Sequence, residues 1–379
     1  MTKSSPPMKE LVLVFLRLGF TAFGGPAAHI ALMENEFVRR LKWLTHEEFL
    51  DLLGASSLIP GPSSSELAIF IGYRHAGWRG LLLAGICFIL PAALMVGGLG
   101  WLYVHYQSLP AIGKVLYGIK PVIIAVIVQA VWGLAKTAVK SRFLAALGAC
   151  SVFLAAKGLS IPLLLIGAGL VSAVLQFRPK VRVVALAGLP AVALFPGRAF
   201  AAVFANIPVT LDRIFLFFLK IGSIQFGSGY VLLAFLREDL VERYRWLSEG
   251  QLLDAVAVGQ FTPGPVFTTA TFIGYLLHGV SGAIVATVGI FLPAFLLVAA
   301  SGTYIPRLRK SKAAGFFLDG VNVASLAAMG YVSFVLAKAA IIDWATLGLA
   351  IAAFIALVRF RINSAWLVLI GAAVGMISS

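Results

Sequence analysis

Three long tracts without an ionisable side chain restrict this chain to a membrane fold. Residues 80–104, 158–177 and 279–306 contain no Asp, Glu, Lys, Arg or His. Each tract is long enough to cross a hydrocarbon layer of about 30 Å as a helix, which satisfies its own backbone hydrogen bonds. The composition agrees, because 60% of the residues are apolar and only 12% are charged. We therefore predict an all-α polytopic membrane protein.

An internal duplication organises the rest of the chain. Phe23-Gly24-Gly25-Pro26 returns as Phe226-Gly227-Ser228-Gly229, and Pro60-Gly61-Pro62 returns as Pro263-Gly264-Pro265, both at an offset of 203 residues. Beyond the second Pro-Gly-Pro the offset becomes 202 and persists to Lys136 and Lys338. A repeat at constant offset indicates a duplicated structural unit.

Basic residues in equivalent loops predict that the two repeats insert with opposite topology. The loop after residue 73 holds Arg74 and Arg79, while its counterpart at 276–282 has no Lys or Arg. The next pair reverses this, because 104–112 has no Lys or Arg and 307–312 has four. Positive charge marks the cytoplasmic side, so equivalent loops lie on opposite sides of the membrane.

We accordingly divide the chain into three parts. These are an N-terminal repeat over 1–178, a linker span within 179–205 and an inverted C-terminal repeat over 206–379. They predict about 10–13 transmembrane segments, with the N-terminus cytoplasmic and the C-terminus periplasmic.

Each Pro-Gly-Pro predicts an interrupted, re-entrant-like helix at membrane depth, since proline ends the helix before it. Inverted repeats with interrupted helices are the usual construction of secondary transporters. Before the first break the sequence predicts a helix over 45–58 with a Thr45–Glu48 capping box, and after it a short helix over 63–73 that begins with Ser63–Ser65. In the second repeat helix resumes before Thr268 and Thr269. Half-helix N-termini and hydroxyl groups donate hydrogen bonds to anions, although the same residues also serve as ordinary helix caps.

Two cations lie within apolar helices at equivalent positions, Arg17 and Lys220. A cation inside a span is costly and indicates a functional site, here one that attracts an anion. The alternatives are snorkelling, or pairing with Glu36, Glu66 or Asp239.

Lys120 and Glu66 are candidate coupling residues. Lys120 is embedded in an apolar span and has Asn322 as its counterpart, but it could equally lie near the interface. Glu66 follows the serine run, where it would carry a proton or neutralise Arg17.

The motifs resemble those of the chromate ion transporter family over essentially the whole chain. The resemblance rests on the sequences at 23–31, 36–40, 43–44, 60–69 and 259–266. It implies export of chromate across the bacterial inner membrane, driven by proton-motive force, with sulfate as a structural analogue. Members of the family commonly read Ser-Thr-Gln where this chain reads Ser64-Ser65-Glu66.

Together these inferences define the candidate site. The predicted substrate-binding residues are Arg17, Lys220, Phe23, Gly24, Gly25, Pro26, His29, Pro60, Gly61, Pro62, Ser63, Ser64, Ser65, Phe226, Gly227, Ser228, Gln260, Pro263, Gly264, Pro265, Thr268 and Thr269. The expected partners are chromate or a sulfate-like oxyanion, protons and the lipid bilayer, with a homodimer left open. We expect no catalytic residue, cofactor, metal or nucleic acid. Nucleic acid is disfavoured because the net charge of +15 comes from basic residues in short loops.

Other functions remain as alternatives. A sulfate or other oxyanion transporter, or an anion channel, would use the same donors. An intramembrane serine hydrolase would need Ser63 as nucleophile and His29 as base, but Val266 replaces the serine in the second repeat. ATP-driven pumping is disfavoured because the chain has no Gly-x4-Gly-Lys-Ser/Thr loop.

Overall fold

The computed structural model describes residues 7–106, 109–177, 208–226, 229–301, 311–360 and 362–378. This part of the chain is helical throughout, without a strand, which confirms the all-α prediction. The predicted linker span at 179–205 lies outside the described residues, as do Gly227 and Ser228.

Fourteen α-helices form the described part, seven before the linker and seven after it. The first seven are α1 (Met8–Thr21), α2 (Gly25–Glu34), α3 (His46–Ser56), α4 (Ser63–Tyr106), α5 (Pro110–Ala138), α6 (Arg142–Ala156) and α7 (Ile161–Phe177). The others are α8 (Leu211–Ile224), α9 (Leu232–Leu236), α10 (Glu249–Phe261), α11 (Thr269–Ser301), α12 (Lys312–Ala340), α13 (Trp344–Arg359) and α14 (Ser364–Ser378). Short π-helical turns continue α2 and α9, over Asn35–Arg40 and Arg237–Arg243.

Local sequence explains several of these boundaries. The Thr45 hydroxyl accepts from the Glu48 amide while the Glu48 carboxylate accepts from the Thr45 amide, which is the predicted capping box of α3. Ser248 and Gln251 form the equivalent box of α10. The two copies therefore begin their third helix by the same device.

Helices α4 and α11 each fold back on themselves at a glycine. Gly77 has φ +56° and Gly279 has φ +62°, both outside helical geometry. A methyl group at Gly72 would overlap the Gly80 carbonyl oxygen, so the two limbs of α4 run side by side. The predicted short helix at 63–73 and the span at 80–104 are the limbs of this hairpin.

Among the described residues, four helices are long and apolar enough to cross a membrane, namely α4, α5, α11 and α12. Helices α6, α7, α13 and α14 have 15 to 17 residues, or roughly 22–26 Å of helix. Large side chains such as Leu94, Leu163 and Ile284 are more than half exposed, as expected for a lipid-facing surface. These features describe a membrane protein, and the full number of crossings stays a prediction.

The two repeats exchange partners across their interface. Helix α5 packs against α13 and α14 of the second repeat, and α12 packs against α6 and α7 of the first. A methyl group at Gly118 would overlap the Gly371 carbonyl oxygen, and one at Gly320 would overlap that of Ala168. Small residues allow this close approach of backbones. Since α4 also packs on α11, the Pro-Gly-Pro breaks come to lie where the repeats meet.

Candidate functional site

Two reciprocal backbone hydrogen bonds join the breaks of one repeat to those of the other. The Gly61 amide donates to the Gln225 carbonyl at 2.7 Å, and the Gly264 amide donates to the Ala22 carbonyl at 2.8 Å. Ala22 and Gln225 end the equivalent helices α1 and α8, directly before the two Phe-Gly motifs. Reciprocal contacts of this kind are what a two-fold relation between the repeats produces.

The central residue of each Pro-Gly-Pro needs to be glycine. Gly61 has φ +138° and Gly264 has φ +93°, in the region that other residues rarely adopt. A methyl group at Gly264 would also lie 2.5 Å from the Ala92 Cβ atom. The flanking prolines of the second motif and Pro62 are buried, while Pro60 is partly exposed. The predicted interruptions are therefore tight turns inside the protein.

The helix end of the first repeat keeps unused polar groups. The amides of Ser65 and Glu66 bond to the Pro62 carbonyl, which leaves the amides of Ser63 and Ser64 beyond the reach of a carbonyl in their own helix. The Ser65 hydroxyl is fully buried and has no hydrogen-bond partner among the described residues. This end can donate to a ligand without breaking a side-chain contact.

Glu66 completes this helix end with a buried carboxyl. Its side chain is 0% exposed, and neither carboxyl oxygen has a hydrogen-bond partner in the described ranges. A methyl group at Gly61 would overlap the Glu66 Oε1 atom. The carboxyl therefore lies against the Pro-Gly-Pro turn.

His29 reaches the same turn from α2. It is 1% exposed, and its Nδ1 atom lies 3.3 Å from the Ser64 hydroxyl. The Nε2 atom has no partner within the described residues. His29 thus contacts Ser64. The serine hydrolase alternative would instead require His29 to contact Ser63.

The helix end of the second repeat is more fully bonded. The Thr268 hydroxyl donates to the Pro265 carbonyl and the Thr269 hydroxyl donates to the Val266 carbonyl, both at 2.8 Å. These hydroxyls cap a short 3-10 turn and would have to rotate to donate to an anion. Gln260, at the end of α10, is 9% exposed. The two half-helix ends are equivalent in sequence but differ in their free donors.

Phe23 and Gly24 line an open cavity of about 530 Å³. They share its wall with Lys136 and Gln129 of α5 and with Ser364 at the start of α14. Gly25 and Pro26 continue from this wall into α2, and Gly25 is buried. Partly exposed Phe226 is the equivalent of Phe23, and the two residues after it lie outside the described chain.

A second cavity shares the position of one wall residue with the first and is much smaller, at about 40 Å³. Tyr331 of α12, the counterpart of Gln129, lies in its wall together with Ile161 at the start of α7. The Ile161 amide donates to the Glu238 carboxylate at 2.7 Å, which ties α7 to the π-helical turn. The described residues of the two repeats therefore line cavities of unequal size.

Arg17 and Lys220 each bind a buried carboxylate. Arg17 pairs with Glu36, and Lys220 lies 2.6 Å from Asp239. A second cation joins each pair at an equivalent position, Arg40 in the first repeat and Arg243 in the second. All three positions repeat at an offset of 203, and the contacts with Glu36 and Asp239 are the pairing that the sequence offered as an alternative.

Lys120 also has a carboxylate partner. Its Nζ atom lies 3.1 Å from Asp254 Oδ1, and the Tyr103 hydroxyl donates to Asp254 Oδ2 at 2.9 Å. Asp254 is 3% exposed and joins α10 to α5 and α4. Sequence reasoning missed Asp254, because the partner of Lys120 is distant along the chain and no repeat relation links them.

The comparison with protein families decides the identity of this architecture. The model of the family described as "Chromate transporter" matches residues 9–174 and 213–376, one segment in each repeat. The chain belongs to the chromate transporter family. This transporter is 34% identical over 378 residues to the "Chromate transport protein" of Cupriavidus metallidurans, covering 98% of this chain and 93% of that one.

Two further relatives support the same membership. The transporter is 33% identical to the "Chromate transport protein" of Pseudomonas aeruginosa, over 88% of this chain and 82% of that protein. It is also 33% identical to the "Probable chromate transport protein" of Synechococcus elongatus, over 89% of this chain and 87% of the relative. No solved structure matches the chain. Membership in this family supports chromate transport and favours a transporter over an enzyme.

Proposed function

We propose that the chain is a secondary transporter that exports chromate across the bacterial inner membrane, with energy from the proton-motive force. The observation that carries the proposal is the reciprocal bonding of Gly61 to Gln225 and of Gly264 to Ala22. It gathers both interrupted helices and the helix ends at Ala22 and Gln225 at the interface of the repeats, where secondary transporters hold their substrate.

The chemistry of this junction suits a tetrahedral dianion. Helix N-termini offer backbone amides and a positive dipole end, and the unpartnered Ser65 hydroxyl adds a donor. Arg17 and Lys220, although paired, add positive charge near the equivalent helices. Sulfate has the same acceptor geometry as chromate, so we expect it to compete for the site.

The unequal cavities favour a carrier over a channel. A carrier built from two related halves exposes its site to one side at a time, with the open and closed approaches exchanging roles during the cycle. The cavities of about 530 Å³ and 40 Å³ would be these two approaches. A channel would instead hold both approaches open together.

The test is uptake of radioactive chromate into everted inner-membrane vesicles, where export from the cell becomes uptake. We expect respiration to drive accumulation, a protonophore to abolish it and excess sulfate to inhibit it. Vesicles with the Gly330→Ala variant serve as a control that should take up chromate as wild type does, because a methyl group at Gly330 meets open space. Absence of energised uptake at normal protein levels would refute the proposal.

A further inference from the structure

The fully buried Glu66 carboxyl is the feature that the proposed anion site leaves unexplained. It lies in the first turn of α4, against Gly61, beside the amides that would receive the substrate. A carboxylate in this position opposes anion binding. Burial of a lone charge is also costly unless the charge is paired.

No counter-charge approaches Glu66 in the described part of the chain. Elements packed against α4 bring Lys9, Glu10 and Arg17 from α1, His29 and Glu34 from α2, His46, Glu47, Glu48 and Asp51 from α3, Glu249 and Asp254 from α10, and Tyr275 and His278 from α11. The remaining titratable groups of α4 are Tyr73, Arg74, His75, Arg79, Cys87, Tyr103, His105 and Tyr106.

These groups are engaged elsewhere or lack a bond to Glu66. Arg17 pairs with Glu36, and Asp254 pairs with Lys120. His29 contacts the same turn, but through the Ser64 hydroxyl. Among the described residues, Glu66 is therefore a buried carboxyl without a cation to hold its charge.

We propose that Glu66 carries a proton that binds and leaves together with the oxyanion, an inference that rests on the proposed function. A protonated carboxyl is neutral and can donate its own hydrogen bond to an oxyanion, whereas the carboxylate repels it. The proton comes from water on the side where the anion enters and returns to water on the side where it leaves. No bond of the anion changes.

The charge balance of the cycle follows from this step. One proton travelling with a dianion gives a net movement of a single negative charge. In the cell, a membrane potential that is negative inside would then drive export, while the pH gradient would oppose it. The proton therefore lowers the electrostatic repulsion between Glu66 and the anion, and the membrane potential supplies the driving force.

The experiment uses the full chain in proteoliposomes that carry a fixed potassium–valinomycin potential, with Glu66→Gln as the informative variant. Glutamine keeps the shape and hydrogen-bonding capacity of the protonated acid but cannot titrate. We measure initial chromate uptake between pH 6 and 8 and record the proton movement that accompanies it. Glu47→Gln, an exposed carboxyl on α3, is the matched control.

Above the pH at which Glu66 loses its proton, we expect the rate of wild-type uptake to fall about tenfold for each pH unit, because transport requires one bound proton. Proton and anion should enter together. The Glu66→Gln variant should retain uptake, with no pH dependence from this site and no accompanying proton, while Glu47→Gln should behave as wild type. Wild-type pH dependence and proton movement retained in Glu66→Gln would overturn the assignment.

The test separates this proposal from the proposed function. Failure of wild-type protein to take up either chromate or sulfate would refute transport itself. If Glu66→Gln does not accumulate in the membrane, Glu66→Asp replaces it, because a displaced carboxyl should shift the pH profile along the axis. An unchanged profile in Glu66→Asp would overturn the role of Glu66.

Discussion

The Gly61 amide donates a hydrogen bond to the Gln225 carbonyl at 2.7 Å, and the equivalent bond from Gly264 to Ala22 measures 2.8 Å. Each bond connects the Pro-Gly-Pro turn of one repeat to the helix end before the Phe-Gly motif of the other. A change at either turn therefore acts on both repeats, and the predictions below begin from this junction.

Replacement of Gly264 by alanine should disrupt the junction. The substitution combines a φ of +93° with a methyl group 2.5 Å from Ala92. We expect a loss of about 2–4 kcal/mol in stability, from backbone strain and overpacking together, and a large loss of chromate uptake. The Gly279→Ala control keeps positive φ but meets open space, so thermal unfolding should show a smaller loss. Equal losses in both variants would contradict a role for the contact.

The two members of the Arg17–Glu36 ion pair should respond differently to substitution. Glu36 is 6% exposed and binds both Arg17 and Arg40, so Glu36→Gln should cost about 3 kcal/mol and lower the amount of folded protein. Arg17 is about half exposed, and we expect Arg17→Ala to abolish transport while protein remains in the membrane. Membrane immunoblots and uptake assays measure the two effects. Full activity of Arg17→Ala would remove it from the anion site.

The buried pair of Lys120 and Asp254 should behave as a structural unit. Asp254→Asn leaves Lys120 without its counter-charge, which we expect to cost about 3 kcal/mol in stability. A double variant with Lys120→Met should recover most of this loss, because both charges are then absent. Thermal unfolding of the two single variants and the double variant gives the coupling. Additive losses would show that the two residues act independently.

Glu238 should make the stability of the protein depend on pH. Burial raises the pKa of Glu238 from 4.5 to about 7, although the hydrogen bond from the Ile161 amide lowers it. The folded protein then binds more protons than the unfolded chain between these values, so stability falls as pH rises from about 4.5 to 7, by up to about 3 kcal/mol. Melting temperatures in detergent should drop less with pH in Glu238→Gln. Parallel curves for both proteins would contradict this.

The two cavities should differ in access to reagents. Gln129 and Tyr331 are equivalent positions, yet the first lines the larger cavity and the second lines the smaller one. In a background that lacks Cys87 and Cys150, we expect a maleimide to label Gln129→Cys at least about tenfold faster than Tyr331→Cys, since a minor conformation is commonly below 10% populated. Similar rates in detergent would show that the two approaches are equally open.

Much of the architecture could be predicted because it depends on local sequence patterns. Uncharged tracts gave the spans, proline and glycine gave the breaks, and Thr45 with Glu48 gave a helix start that the structure confirms. The exchange of α5 and α12 between repeats could not be predicted, because local periodicity does not select a distant partner. For the same reason, the sequence did not identify Asp254 as the partner of Lys120.

The site residues divide in the same way. The offset of 203 placed Arg17 and Lys220 at equivalent positions, but the burial of their carboxylate partners depends on the packing of the π-helical turns. Likewise, sequence placed hydroxyls at both half-helix ends. Only the structure shows that Thr268 and Thr269 bond to carbonyls, whereas the Ser65 hydroxyl has no partner among the described residues. Whether these residues bind the anion stays a prediction.

The most direct test of the account is the position of bound chromate in an experimental structure, read from the anomalous scattering of chromium. We predict one strong peak at the junction of the repeats, within hydrogen-bonding distance of the amides of Ser63 or Ser64 and close to the Gly61 turn. A peak at another place, such as beside Lys120 and Asp254, would contradict the claim that the paired Pro-Gly-Pro breaks form the anion site.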